Sequence, residues 1–105
     1  MEELYQKSED PGLCKALMLF MDELLKRAKI QMTNAQKLSL LSHVTAMVYR
    51  SNHKEMIQPI DKTLFEEVSN ESIEMANKVC GRMPDLHEDE KYLLSIHFES
   101  AKITN

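Results

Sequence analysis

The sequence predicts an all-α fold, one domain built as a bundle of five helices. Three observations predict it. Gly and Pro are scarce, at 2 and 3 in 105 residues, while Leu, Met, Lys and Glu, all good helix formers, are common. Apolar residues recur at three- and four-residue spacing in several separate segments, which is the spacing of a helix face. Short polar breaks divide those segments. At 43% hydrophobic and 29% charged, the composition is that of an ordinary globular domain. A chain of this length buries roughly 60 to 70% of the surface its unfolded form exposes, enough for one core.

Residues 1–10 are polar and charged and are expected to form a loose tail ahead of a helical domain over 11–105. Asp10-Pro11 is a good helix entry, because Asp caps and Pro suits the first helical position. Leu13, Leu17, Phe20, Met21, Leu24 and Leu25 then keep helical spacing, so the first helix is placed over 11–29, closed by its basic end. Thr33 or Asn34 caps the second, whose stripe is Leu38, Leu41, Val44 and Val48, with Leu40, His43 and Met47 beside it. It runs to about residue 50 or 51. Ser51-Asn52-His53 breaks the pattern, and Gln58-Pro59 marks a non-helical connection. Asp61 caps a short third helix carrying Leu64, Phe65 and Val68. Asn70 caps the fourth, with Ile73, Met75, Ala76, Val79 and Cys80, and Gly81 is placed as its left-handed stop. After a loop containing Pro84, Asp89 and Glu90 open the fifth with the negative charge that a helix N-terminus favours. Leu93, Leu94, His97, Phe98 and Ala101 continue it to about residue 103. Leu17, Phe20, Leu41, Val44, Val48, Phe65, Val79, Leu94 and Phe98 are the expected core.

The net charge of −4 with His neutral gives no electrostatic footprint for nucleic acid or an anionic membrane. The densest basic cluster, Lys26, Arg27 and Lys29, falls where a helix C-terminus favours cations. No apolar run approaches the length of a membrane span. Cys14 and Cys80 are far apart and no signal peptide precedes them, so free thiols in a reducing cytoplasm are expected. No two histidines stand at i and i+4, and no Gly-rich turn accompanies a Cys–His pair. The adjacent carboxylates Glu66-Glu67 and Asp89-Glu90 read as solvated charge or helix caps. The expectation is therefore no metal, no cofactor and no enzyme activity.

Four histidines remain. His53 and His87 fall in expected loops and are expected to be exposed. His43 and His97 lie within helical patterns among apolar residues. They are either two core histidines, each with a hydrogen-bond partner, or two groups lining one cleft or interface.

Residues 86–98 read Leu-His-Glu-Asp-Glu-Lys-Tyr-Leu-Leu-Ser-Ile-His-Phe. The run resembles a motif of the phosphotransferase-system regulation domain, the PRD: an Asp-Glu pair, then an apolar helix ending in apolar-His-apolar. Residues 40–50, Leu-Leu-Ser-His-Val-Thr-Ala-Met-Val-Tyr-Arg, resemble the other histidine helix of that family, with its basic residue two turns downstream. The resemblance implies a five-helix bundle that homodimerises. It implies phosphorylation of His97 and His43 by a phosphocarrier or sugar-specific component of the bacterial sugar phosphotransferase system, with Arg50, Asp89 and Glu90 in support. The family carries Asp before its first histidine where this chain has Ser42, which ranks His97 above His43. PRDs usually stand in pairs behind a nucleic-acid-binding domain, for which this chain has no room. The expected role is thus a stand-alone regulatory module for sugar-utilisation genes, acting through a partner such as a full-length PRD regulator and not by binding nucleic acid itself. The alternative is an unphosphorylated helical interaction module that keeps the fold.

Overall fold

Residues 2–104 are described by the computed structural model, apart from the side chain of Thr104. Among them are five α-helices: α1 (Glu2–Lys7), α2 (Pro11–Arg27), α3 (Asn34–His53), α4 (Asn70–Cys80) and α5 (Glu90–Thr104). A single 3-10 turn, Lys62–Phe65, lies between α3 and α4, and the described residues contain no strand. The fold class and the number of helices are as expected, but the five are not the same five.

Two corrections exchange one helix for another. Residues 2–7, expected as tail, form α1. None of its residues is fully buried, but Tyr5 packs against the core and the helix lies on α3 and α2. The turn after it adds a second anchor. Ser8, fully buried, donates from Oγ to the Tyr5 carbonyl at 2.7 Å and accepts from the Asp10 amide at 3.0 Å. Glu9 takes a left-handed turn, φ 64°, and its carboxylate meets His53 Nε2 at 2.7 Å. The segment after Asp61, expected as a helix, is only the 3-10 turn. Asp61 does cap it, accepting from the Thr63 amide at 3.0 Å, and Phe65 is buried, but Leu64 is exposed. One apolar anchor is too few to extend a turn into a helix.

The other helix starts arise from local chemistry. Asp10 Oδ1 accepts from the Leu13 amide at 3.1 Å, with Pro11 at the first helical position. Thr33 begins a capping box: its Oγ1 accepts from the Gln36 amide at 3.1 Å, and Gln36 Oε1 accepts from the Thr33 amide at 2.9 Å. Thr33→Ala is expected to cost about 1 kcal/mol of unfolding free energy, measured by urea denaturation, with an unchanged midpoint as the contradicting result. Ser69, and not Asn70, caps α4. Gly81 is not left-handed; its φ is −63°. Besides Glu9, the left-handed positions are Lys29, Lys54 and Asp85. At Lys29 and Lys54 the chain closes α2 and α3 by the same pair of bonds, Ile30 N to Leu25 O and Lys29 N to Lys26 O, then Glu55 N to Arg50 O and Lys54 N to Ser51 O.

The core is shared by four helices. Cys14, Leu17 and Met21 of α2, Leu40, Val44, Met47 and Val48 of α3, Ala76 and Val79 of α4, and Leu94, Phe98 and Ala101 of α5 have essentially no exposed surface. Each fully buried large side chain contributes roughly 1.5–3 kcal/mol, so this core outweighs any cap. All the expected core residues are buried except Phe20, which is half-buried with the Arg82 guanidinium over its ring at 3.7 Å. The most extensive helix pairing is α4 with α5, and α3 packs on α1, α2 and α5. Both cysteines are free. Burial pushes the Cys80 thiol up to about 12, far from a reactive thiolate.

Candidate functional site

The α3–α5 contact brings together two residues from each helix. On α3 the buried stripe is Leu40, Leu41, Val44, Met47 and Val48, and His43 sits at its edge, half-buried. Arg50 lies seven residues on, two turns along the same face. On α5 the buried stripe is Leu94, Phe98 and Ala101, and His97 sits at its edge, with Glu90 seven residues before it. His43 meets His97, with ring centroids 5.0 Å apart and planes at 41°. Arg50 meets Glu90: Nε donates to Oε2 at 2.8 Å and Nη2 to Oε1 at 2.6 Å. The lower residue number on α3 pairs with the higher on α5, so the helices run antiparallel here and the two pairs stack about 10 Å apart along the axes.

Glu90 is fully buried, which corrects its reading as solvated charge or a cap, and the Arg50 side chain is 22% exposed. A buried carboxylate needs such a bidentate partner, since removal from water costs several kcal/mol. Asp89 is also buried. Its Oδ2 accepts from the Ile60 amide at 3.3 Å, and Lys62 Nζ lies 3.7 Å from Oδ1. Asp89 therefore ties down the 55–61 connection, while Glu90 faces the histidine side.

Burial first, then the neighbouring His97 and Arg50, lower the His43 pKa to about 4, with Glu90 opposing. Burial lowers that of His97 as well. Both rings are therefore neutral at pH 7, and each neutral ring keeps one nitrogen lone pair. His43 Nδ1 is buried without a hydrogen-bond partner. Because folding depresses the His43 pKa below its ordinary 6.5, the unfolded chain binds the proton more tightly. Stability is thus complete above pH 6.5 and falls as the pH drops toward 4. NMR titration of the His43 ring should give a midpoint below 5, and a midpoint near 6.5 would contradict the burial argument.

The two remaining histidines lie elsewhere. His53 is the last residue of α3 and not a loop residue; it is exposed, stacked on Tyr49 at 4.1 Å. His87, expected to be exposed, is half-buried, and its Nδ1 accepts from the Asp89 amide at 3.0 Å. Ser42 is exposed beside the pair. With Leu4, Lys7, Thr45, Tyr49, Arg50 and others it lines a cavity of ≈ 430 Å³. The described residues contain no group of three or more His, Cys, Asp or Glu placed to hold a metal ion, and no helix long and apolar enough to cross a membrane.

The site thus unites His43, His97, Arg50 and Glu90 from the expected set, with Asp89 directed away. The pairing of Arg50 with Glu90 was missed in the sequence. Its signal was available: a histidine and an opposite charge recur at a spacing of seven on both helices. Chemically, the arrangement offers two neutral nitrogen nucleophiles with one guanidinium two turns along the same face, its charge acting on His43.

The profile of the PRD domain family matches residues 19–101, which include all four. The crystal structure of a PRD-containing transcription regulator from Lactobacillus casei ATCC 334, at 1.38 Å resolution, is similar to this chain with a TM-score of 0.88 and 33% sequence identity. The similarity covers 100% of this chain and 96% of that one. No curated protein matches the chain.

Proposed function

The chain belongs to the PRD family, and on that premise we propose that it is a regulatory module phosphorylated on histidine by proteins of the sugar phosphotransferase system. Phosphorylated or not, it contributes through a partner to transcription of sugar-utilisation genes. The observation that carries the reading is the meeting of two neutral imidazoles from different helices at 5.0 Å. In the transfer, the lone pair of a ring nitrogen attacks the phosphorus held by the donor protein's phosphohistidine. The new N–P bond forms as the donor's N–P bond breaks; the accepting ring sheds its N–H proton to solvent and the departing donor ring takes one up. The donor brings the phosphoryl group, so this chain needs no catalytic machinery of its own.

His97 is the preferred acceptor. It is less perturbed than His43, whose Nδ1 is enclosed and whose neighbour Ser42 carries no charge to support a protonated ring. The module works as a cytoplasmic homodimer. Ile96, Leu64 and Ile103 leave apolar surface exposed, in keeping with a second copy or a full-length PRD regulator as partner.

An interaction module without phosphorylation is the second reading. Ser42 and an Arg50 already engaged by Glu90 favour it. The discriminating test recovers the domain's complexes from cells grown with and without a transported sugar, for the wild type and His97→Ala. Binding of the wild type is expected to differ between the two conditions and that of the variant to be constant. Equal binding in all four samples would remove the phosphorylation and leave the interaction module.

A further inference from the structure

We propose that the Arg50–Glu90 pair is a lock opened by a phosphoryl group on the histidine pair: the phosphoryl oxygens take Arg50 from Glu90, and the unpaired Glu90 loosens the first turns of α5. This rests on the phosphoacceptor reading above, which supplies the competing group.

The charges around the site are balanced before transfer. Two neutral imidazoles, the cations Arg50 and Lys7, and the carboxylates Glu90 and Glu55 sum to zero. Transfer adds about −1.5 to −2, and Arg50 is the guanidinium whose charge already acts on His43. A guanidinium fork suits phosphate and carboxylate alike. The phosphoryl group brings more charge and a third oxygen, so it wins the competition. The asymmetry of burial decides which partner moves. Arg50 is the end with access to solvent, at 22% exposed, while Glu90 is at 0%. Arg50 can turn on its long stem, but Glu90 reaches water only if the backbone at the start of α5 shifts.

The rest of the structure says where the shift stops. Arg50 and Ser51 are consecutive on α3, and both hold the approach to α5: Ser51 Oγ donates to the Pro84 carbonyl. Asp89 adds the 3.3 Å bond from Ile60, a 3.7 Å approach of Lys62 Nζ and its amide hydrogen bond to His87 Nδ1 at 3.0 Å. All three go to side chains and backbone of the flanking connections and none to the core. Farther along, α5 is fixed by Leu94, Phe98 and Ala101 in the core. There Glu99 Oε1 accepts from the hydroxyls of Ser69 at 2.7 Å and Ser72 at 2.8 Å. The first turns therefore open while the second half stays packed.

Phosphoramidate tests this without any partner protein. The imidazole lone pair forms the N–P bond as the reagent's P–N bond breaks, and ammonia leaves. Amide hydrogen exchange is then read before and after labelling in the wild type and in Glu90→Gln, which keeps the shape but not the charge. On labelling, amides of residues 92–96 in the wild type are expected to exchange about tenfold faster, and those of 98–101 to be unchanged. In Glu90→Gln the change at 92–96 is expected to be less than about twofold. No acceleration in the labelled wild type, or equal acceleration in Glu90→Gln, overturns the lock. So does failure of the reagent to label either His43 or His97. Acceleration after phosphoramidate, with no labelling by the phosphotransferase proteins, keeps the lock and removes the phosphotransferase reading instead.

Discussion

Arg50→Ala is expected to lower the unfolding free energy by about 3 kcal/mol, because breaking a buried pair from one side leaves a charge with neither water nor a partner. Glu90 has no exposed side-chain surface, so its carboxylate would stay buried and uncompensated. Replacing both partners by apolar residues, Arg50→Met with Glu90→Leu, should recover most of the loss, since no orphan charge is left behind. Urea denaturation followed by circular dichroism reads all three proteins. A loss under about 1 kcal/mol in the single variant would make the pair an ordinary surface ion pair and would contradict its placement at the centre of the site.

Much of this architecture is legible in the sequence where local chemistry decides. Asp10-Pro11 and Thr33 start their helices with the bonds that their side chains predict. The stripes of α3 and α5 put His43 and His97 at the edges of buried faces. What stayed hidden depended on partners distant in the chain. Residues 2–7 carry the acidic first turn and basic end of a helix, but six residues are too few to hold one alone. It is secured by Tyr5 on the core, by Ser8 within the turn and by Glu9 bonding His53, 44 positions away. Glu90 looked like a helix-dipole charge because its counter-ion is 40 residues upstream. Gly81 invited a left-handed reading that the chain instead realises at Lys29, Lys54 and Asp85. Such positions cost a lysine or aspartate side chain more than a glycine, so composition points away from them. The apolar run after Asp61 had the right residue types, but too few of them face the core.

The sequence also ranked the two histidines on the residue before the first, Ser42. The structure supplies a separate physical argument in the same direction. His43 is held further from its ordinary pKa, and one of its nitrogens is sealed. His97 is affected by burial alone. A donor protein must bring its own phosphohistidine within bonding distance, so the less enclosed ring has the advantage.

Phosphotransfer to the purified domain tests this account most directly. The domain is incubated with phosphoenolpyruvate, the general phosphotransferase proteins and the sugar-specific components in turn, and acid-labile phosphate is mapped by tandem mass spectrometry. The account predicts that the phosphate maps to His97, is lost entirely in His97→Ala, and is mostly retained in His43→Ala. Label that persists in His97→Ala and maps to His43 would contradict the ranking, and no label on either histidine with any component would contradict the claim itself.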